Sequence, residues 1–460
     1  MPCEHESHGS FPVFGEGFTR RYFMRLAGTS VVASFFADVA SARLLAGATS
    51  VNPTLHNSAK NGILIFLSGA PSQIDTFDLK EGNWTPRDFA PATYGSIRFP
   101  QGLMPKTAEQ IDKLAIIRSG LSWVAVHQLG QTWAQIARNP TGATGRIAPH
   151  IGAVVALESQ KRRLPTDILP GFVSLGDATM VKSGYLPASC APFDVQPTSA
   201  GLPLLAHPRG AARLADRWSL LQAIDTDRTS GALGKNASDM DGFYGQAKQL
   251  VDSPAANAIF SFTADEHTRY GATTFGDSCV VARNLVAANR GTRFVQITFG
   301  GWDHHTNIYA KTGNSLYTQM AQFDPAFGAL LADLSTMPGV DAGKTMLDET
   351  IVVVLGEFGR TVGNLHNGGR DHMTRMSIAL AGGGVRGGTI IGQTDPTGAT
   401  VAEYGWSANR DVRPEDLTTT IYSALGIDYT TVRRDDPLGR GFEYVPFASL
   451  GTYLPVNELF

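Results

Sequence analysis

The chain has 460 residues, of which 43% are hydrophobic and 17% are charged, so it can bury a large core and is not a disordered tail. Its 38 basic and 41 acidic side chains leave a formal net charge of −3 with no block of like charge, so we expect no nucleic-acid partner. The 3 cysteines form no CxxC pair, so any metal site must use histidine and carboxylate ligands.

The first predicted element is an export signal. Arg20 and Arg21 precede an uncharged run from Leu26 to Ala37, and the small residues Ala40-Ser41-Ala42 follow. This order is typical of a twin-arginine signal, and the run is shorter than the ~20 residues that cross a bilayer. We expect residues 1–42 to be cleaved after recognition by the twin-arginine translocation machinery. The mature chain, 43–460, is then periplasmic or secreted and has no transmembrane segment.

Strand and helix patterns alternate through the rest of the chain. Gly62 to Leu67 is a continuous apolar run that ends in a turn, which is typical of a strand buried on both faces. Such alternation predicts an α/β fold with a mostly parallel sheet covered by helices on both sides. The segment 143–278 is richer in Pro, Gly and Ala, and we interpret it as an elaborated insertion in a single domain. The other predicted strands are Lys113 to Arg118, Arg293 to Phe299, Thr350 to Leu355 and Met376 to Leu380, and the clearest helices are Cys279 to Asn289 and Ser315 to Thr336.

Acidic and imidazole residues cluster where the predicted strands end. Ligands of such sheets collect beyond the carboxyl ends of the strands, so these clusters mark the candidate site. Their oxygen and nitrogen donors suit zinc, manganese or iron. The candidate metal ligands are Asp75, Asp303, His305, Glu357, Asp371 and His372.

Two of these assignments have open alternatives. Asp303 and His305 are two residues apart and share one side of an extended segment, which favours His305 over His304 as a ligand. The alternative is that Asp303 caps a helix and the imidazoles bind backbone groups. Asp75 fits a turn with a helix cap as well as it fits a ligand.

The candidate catalytic residues are His127, Thr132 and Arg360. His127 begins a helical stretch whose backbone N–H groups favour an anion, and Thr132 is a hydroxyl in the same stretch. Thr132 stands in no activating motif, and threonine is also a common helix cap. Arg360 follows Glu357 by three residues, so it either pairs with that carboxylate or holds an anionic substrate. The chain contains no G-x-x-x-x-G-K-[ST], G-x-S-x-G or H-E-x-x-H motif.

Four blocks together resemble the signatures of one bacterial family, domain-of-unknown-function family fifteen hundred and one, and span Gly62 to about Ile427. Members are exported, often with a twin-arginine leader, and are distantly similar to sulfatases and alkaline phosphatases. The blocks are Leu67-Ser68-Gly69-Ala70-Pro71-Ser72-Gln73-Ile74-Asp75-Thr76-Phe77-Asp78, Gly300-Gly301-Trp302-Asp303-His304-His305, Gly356-Glu357-Phe358-Gly359-Arg360-Thr361 and Gly369-Arg370-Asp371-His372.

The resemblance implies an alkaline phosphatase-like three-layer α/β/α sandwich with a divalent metal centre that hydrolyses phosphate or sulfate esters. Asp303 and His305 then resemble the first aspartate and histidine ligands, and His372 resembles the late histidine. Glu357 and Phe358 stand where an Asp-His pair normally lies, so Phe358 removes one imidazole. Cys190-Ala191-Pro192-Phe193-Asp194 departs from the C-x-P-x-R setting of sulfatases, which argues against arylsulfatase action.

These observations lead to one favoured function and two alternatives. We expect an exported hydrolase of phosphate or sulfate esters that uses a divalent metal ion, with zinc, manganese, calcium and magnesium as candidates. Its expected substrate is an anionic small molecule or polysaccharide. The first alternative is a non-catalytic exported binding protein that retains a sulfatase-like fold, and the second is a structural component of the envelope.

Overall fold

The structure is a computed structural model that describes residues 51–177, 180–202, 209–225, 234–251, 253–362 and 367–460. The predicted export signal, residues 1–42, lies outside the described residues. In chain order the strands are β1 (Asn61–Leu67), β2 (Ala92–Tyr94), β3 (Ile97–Phe99), β4 (Leu114–Leu121), β5 (Phe172–Leu175), β6 (Phe193–Val195), β7 (Phe294–Phe299), β8 (Thr350–Leu355), β9 (Gly359–Arg360), β10 (His372–Met373), β11 (Arg375–Ala381), β12 (Ile390–Ile391), β13 (Gln393–Thr394), β14 (Val401–Glu403), β15 (Val432–Arg433) and β16 (Phe442–Glu443).

The helices follow the predicted alternation with the strands. The helix predicted at Cys279 to Asn289 begins one turn earlier, after Thr273, whose side chain accepts a hydrogen bond from the Gly276 N–H. In chain order the helices are α1 (Pro105–Ala108), α2 (His127–Ile136), α3 (Ala143–Arg146), α4 (Ile151–Gln160), α5 (Gly210–Ile224), α6 (Lys235–Leu250), α7 (Pro254–Phe260), α8 (Ala264–Arg269), α9 (Thr274–Ala288), α10 (Leu316–Thr336) and α11 (Pro414–Ala424). Among the described residues, no helix is both long and apolar enough to cross a membrane.

Eight strands form one sheet in the order β12-β4-β11-β8-β1-β7-β5-β6. At its centre, β1 pairs in parallel with both β7 and β8, so that Gly62 lies opposite Phe294 and Ile351. β5 pairs in parallel with β6 and β7, and β12 does so with β4. β11 runs antiparallel to its neighbours β4 and β8. The predicted mostly parallel sheet is therefore confirmed.

Helices cover both faces of this sheet, which makes the fold a three-layer α/β/α sandwich. Successive side chains of a strand point to opposite faces, and β1 is buried throughout. Ile63 and Ile65 pack in a core with α9 and α10, whereas Leu64 and Phe66 pack in a second core with α4 and α11. Full burial of such a side chain contributes about 1.5–3 kcal/mol, which explains why β1 is an unbroken apolar run.

The reversed direction of β11 decides where the residues before it lie. The carboxyl ends of β1, β4, β7 and β8 share one edge of the sheet, and an antiparallel strand begins at that edge. The loop that ends at His372 therefore lies beside the loops that follow the parallel strands. The segment 143–278 supplies β5 and β6, two strands of the sheet that its Pro- and Gly-rich sequence did not predict.

Candidate functional site

Four side chains from three separate segments of the chain meet beyond the carboxyl ends of the parallel strands. His127 opens α2, which follows β4; Asp303 and His305 follow β7; and His372 lies just before β11. One ligand atom from each of these residues lies within 4.8 Å of the others, so the group could hold a metal ion. We call these four residues, His127, Asp303, His305 and His372, the His-Asp cluster.

The distances in the His-Asp cluster centre on one carboxylate oxygen, Asp303 Oδ1. It lies 3.0 Å from His305 Nε2, 3.4 Å from His127 Nε2 and 3.7 Å from His372 Nε2. The Nε2 atoms of His305 and His372 are 2.9 Å apart. His127 Nε2 is buried and makes no hydrogen bond within the described residues. A buried polar atom without a partner is costly, and a cation bound here would satisfy it.

Hydrogen bonds at Nδ1 set the orientation of two of the three imidazoles, those of His127 and His372. His127 Nδ1 lies 2.6 Å from Glu357 Oε1, and His372 Nδ1 lies 2.9 Å from the Ala125 carbonyl oxygen, to which it donates. His305 Nδ1 lies 3.6 Å from Asp371 Oδ1. A histidine that donates through Nδ1 presents the lone pair of Nε2 to a metal. His127 and His372 are thus arranged as ligating histidines usually are, whereas His305 Nε2 lies 3.3 Å from Arg360 Nη1, a donor that a bound cation would have to replace.

Glu357 contacts the His-Asp cluster through His127 and is itself buried. Its carboxylate accepts hydrogen bonds from the Gly69 N–H at 3.0 and 3.2 Å and from Gln131 Nε2 at 3.1 Å. The hydrogen bond with Glu357 is the largest contribution to the raised pKa of His127, and burial opposes it. Gly69 adopts φ +112°, and a Cβ there would meet the Asp303 backbone nitrogen at 2.7 Å, so glycine is required.

Arg360 is buried, and it donates through all three nitrogens of its guanidinium group. It binds Asp303 Oδ1 at 2.6 Å and the carbonyl oxygens of Gly69, Ala70 and Arg370 at 2.6, 2.9 and 3.1 Å. Burial raises the pKa of Asp303, but the Arg360 hydrogen bond and charge outweigh it and hold that pKa below its usual range. Arg360 therefore pairs with Asp303 and not with Glu357.

Phe358 forms an apolar wall of the His-Asp cluster. Its ring centroid lies 4.9 Å from that of His127 and 4.6 Å from that of His372. Burial is the largest cause that lowers the pKa of His372, and the charges of Arg360, His127 and His305 lower it further. A neutral imidazole is the form that binds a metal, so this environment suits ligation.

The other predicted site residues lie around the His-Asp cluster. Asp75 is buried and receives hydrogen bonds from Arg370 Nε at 2.7 Å and from the Tyr309 hydroxyl at 2.6 Å. Asp371 is exposed beside His305. The Thr132 hydroxyl donates to the Gln128 carbonyl oxygen at 2.8 Å, one turn earlier in α2.

Sequence reasoning missed three contributors to the site: Gln131, Ser68 and the Ala125 carbonyl. Gln131 Nε2 donates to Glu357 and to the Ser68 hydroxyl, at 3.1 and 2.9 Å. Gln131 follows His127 by four residues in α2, so helical spacing was the signal that could have identified it. The contact between the Ala125 carbonyl and His372 joins residues far apart in sequence and had no comparable signal.

Comparison with protein families identifies the chain's relatives. The model of the family described as "Protein of unknown function (DUF1501)" matches residues 59–445. The chain therefore belongs to this family, as its four sequence blocks predicted. No curated protein matches the chain.

Comparison with solved structures finds chains that are similar to this one at low sequence identity. An alkaline phosphatase superfamily protein from Vibrio parahaemolyticus is 9% identical, with a TM-score of 0.38 over 82% of this chain and 69% of the other. A putative sulfatase from Bacteroides thetaiotaomicron is 12% identical, with a TM-score of 0.38 over 80% and 71%. The lipoteichoic acid synthase LtaP from Listeria monocytogenes is 9% identical, with a TM-score of 0.36 over 83% and 76%.

Proposed function

We propose that this protein is an exported, metal-dependent hydrolase of phosphate or sulfate esters. One observation carries the proposal: His127, Asp303, His305 and His372 present four ligand atoms within 4.8 Å of one another. Because these residues come from distant parts of the chain, the arrangement depends on the fold. Groups of this kind at the carboxyl edge of a parallel sheet are typical of functional sites.

The donor set favours a transition-metal ion. Three imidazole nitrogens and one carboxylate oxygen suit zinc or manganese better than magnesium or calcium, which prefer oxygen ligands. When bound, such an ion supplies Lewis-acid polarisation of a phosphoryl or sulfuryl oxygen. Of the four candidate ions, we therefore propose zinc or manganese.

The residues around the His-Asp cluster act by positioning its members. Glu357 fixes the ring of His127, and Arg360 fixes Asp303 while it ties together the loops that contain Gly69 and Arg370. Because the guanidinium nitrogens of Arg360 already donate to these groups, we propose that it orients the site without binding the substrate. Phe358 limits the access of water to the two histidines that it contacts.

The proposed cellular role combines this site with the export signal. Paired arginines at Arg20 and Arg21 support passage through the twin-arginine translocation machinery, which exports folded proteins, and hence a periplasmic or secreted location. A substrate outside the cytoplasm would be an anionic small molecule or a polysaccharide that carries phosphate or sulfate esters.

Metal analysis combined with an activity panel tests the proposal. We expect about one zinc or manganese ion per folded chain, and turnover of aryl phosphates, phosphodiesters or aryl sulfates that stops after chelation. Asp303→Ala and His372→Ala should lose both metal and turnover, whereas the control His267→Ala, in α8, should retain both. Full metal content without turnover on any of these esters would contradict the hydrolase.

A non-catalytic binding protein is the second candidate, and the hydroxyl groups near the His-Asp cluster favour it. Ser122 Oγ donates to the Val124 carbonyl oxygen at 2.9 Å, and Thr132 Oγ1 donates to the Gln128 carbonyl oxygen at 2.8 Å. Within the described segments, neither hydroxyl is paired with a base, as an activated nucleophile is. This candidate predicts bound metal and saturable binding of a phosphorylated or sulfated polysaccharide, without cleavage.

A further inference from the structure

A cavity of about 430 Å³ lies at the amino edge of the central sheet, the edge opposite the His-Asp cluster. Three residues that line it come directly before strands: Lys60 before β1, Arg293 before β7 and Glu349 before β8. A cavity of this volume is large enough for a small organic molecule. None of the four residues of the His-Asp cluster lines it.

The lining of the cavity carries more positive than negative charge. Its cationic side chains are Lys60, Arg162, Arg293 and Lys344, and its carboxylates are Asp341 and Glu349. Both carboxylates already have partners. Glu349 accepts from the Val340 and Asp341 backbone N–H groups at 2.6 and 2.9 Å and pairs with Lys60 Nζ at 2.8 Å. Asp341 pairs with Lys60 at 2.5 Å and with Lys344 at 3.9 Å.

The two arginines have no such partner. Within the described part of the chain, neither Arg162 nor Arg293 has a carboxylate within ion-pair distance. Arg293 is partly buried, and its Nη1 donates to the amide oxygens of Asn289 at 2.7 Å and Asn61 at 3.3 Å, which carry no charge. Burial is the largest cause of the lowered pKa of Arg293; the charge of Asp167 opposes it, and the charges of Arg162 and Arg163 add smaller lowering effects. A tetrahedral oxyanion would neutralise this cationic pair.

We propose that the cavity binds the phosphate or sulfate group of a small anionic ligand between Arg162 and Arg293. A planar guanidinium group donates two parallel hydrogen bonds to such an oxyanion, and the neighbouring amides of Asn61 and Asn289 hold Arg293 in place. This second site is separate from the proposed catalytic centre and does not depend on a metal ion.

A purely structural role for the two arginines makes a different prediction. Arg162 lies just beyond the carboxyl end of α4, and Arg293 lies beyond that of α9, where a cation stabilises the helix dipole. If this is their whole purpose, their removal lowers stability but leaves anion binding unchanged. The proposal instead requires that anion binding fall.

Calorimetric titration of inorganic phosphate into the full chain, with and without a chelator, tests the proposal. We expect one saturable site that survives chelation and that sulfate displaces. Arg162→Gln and Arg293→Gln should weaken phosphate binding about tenfold or more, as expected for the loss of a charge-assisted hydrogen bond, and Arg293→Lys should weaken it less. Arg440→Gln, an exposed arginine elsewhere, is the control and should bind as the wild type does.

Three results would overturn the proposal. The first is equal phosphate affinity in Arg162→Gln, Arg293→Gln and Arg440→Gln. The second is phosphate binding that disappears with the chelator, because it would then belong to the His-Asp cluster. The third is the absence of saturable binding in the wild type. Because Arg162 is exposed and its replacement by glutamine should not prevent folding, the comparison stays decisive even if the Arg293 variants fold poorly.

Discussion

The arginines at the two edges of the central sheet differ in whether they pair with a carboxylate. At the carboxyl edge, Arg360 and Arg370 are buried and each donates to a carboxylate, Asp303 or Asp75, at 2.6–2.7 Å. At the amino edge, Arg162 and Arg293 line a cavity and have no carboxylate within ion-pair distance among the described residues. The first arrangement holds side chains in fixed positions, whereas the second leaves charge available to a ligand. A cationic side chain thus indicates a binding function only after its partners have been counted.

Helix direction reinforces this difference between the edges. In a parallel α/β sheet, helices begin near the carboxyl ends of strands and end near the amino ends. The positive end of α2 begins at His127, beside the His-Asp cluster, where it favours an anionic substrate. The negative ends of α4 and α9 lie near the amino-edge cavity. The positive charge of the arginines there must outweigh these dipoles before an anion can bind. Replacing either arginine is therefore a sensitive test of the proposed anion site.

Breaking the buried pair at the carboxyl edge should have the largest effect. Asp75→Ala leaves the Arg370 guanidinium group buried without its carboxylate, and we expect the free energy of unfolding to fall by about 3–5 kcal/mol. Urea denaturation measures this loss. Asp88→Ala is the matched control, because its pair with Lys311 is exposed to solvent and should contribute little to stability.

The same variant also tests how Asp75 contributes to the site. Since its carboxylate is occupied by Arg370 and Tyr309, the folded fraction of Asp75→Ala should retain the metal content of the wild type. Loss of metal from protein that remains folded would instead assign Asp75 as a metal ligand, the role that its place after β1 predicts.

Removing the charge beside His127 should have the next largest effect. Glu357→Gln keeps the size of the side chain but weakens the contact with His127 Nδ1, so we expect zinc affinity to fall about 10–100-fold. Competition with a chromogenic chelator measures the affinity. Glu403→Gln, on exposed β14, is the control. An unchanged affinity in Glu357→Gln would show that Glu357 does not position the ligand.

His150 provides a comparison with His127, since it is a buried imidazole that has no carboxylate partner among the residues that the structure describes. Burial lowers the pKa of His150 to about 3. As the pH falls below the usual imidazole pKa of about 6.5, the unfolded chain binds a proton that the folded chain excludes. The contribution of His150 to stability is therefore full above that pH and is lost as the pH falls toward 3.

The variant His150→Asn isolates this contribution. Asparagine can still cap α4, where His150 Nδ1 accepts from the Gly152 N–H at 2.8 Å, but it does not titrate. Between about pH 6 and pH 4, we expect the stability of the wild type to fall relative to the variant by about 1.4 kcal/mol per pH unit. Urea unfolding at several pH values measures the slope, and parallel curves for the two proteins would show that His150 takes up a proton in the folded state.

The sequence predicted those parts of the fold that depend on local pattern. The apolar run of β1 identified a strand buried on both faces, and the two-residue spacing of Asp303 and His305 indicated side chains on one side of a loop. Both patterns arise from strand geometry and need no information about distant residues. Family membership was predicted in the same way, from short blocks of adjacent residues.

The parts that the sequence did not predict depend on contacts between distant segments. The antiparallel direction of β11 places His372 beside Asp303, yet no feature of the β11 sequence indicates its direction. Arg360 pairs with Asp303 from a different loop, although Glu357 is the closer carboxylate in sequence. Burial and contacts with other loops decide whether a charged side chain binds a metal ion, forms an ion pair or positions another residue.

The smallest expected effect is that of replacing Thr132. This variant tests whether a hydroxyl that lies near the site also acts in it. Its hydroxyl donates to the Gln128 carbonyl oxygen within α2, a bond that contributes little to stability. Thr132→Ala should therefore change the free energy of unfolding by less than about 0.5 kcal/mol, with unchanged metal content and ester turnover. Ser68→Ala is the informative comparison, because Ser68 is linked through Gln131 to Glu357. If Thr132→Ala alone abolished turnover while metal stayed bound, Thr132 would be the nucleophile, and its side chain would have to rotate away from Gln128 to react.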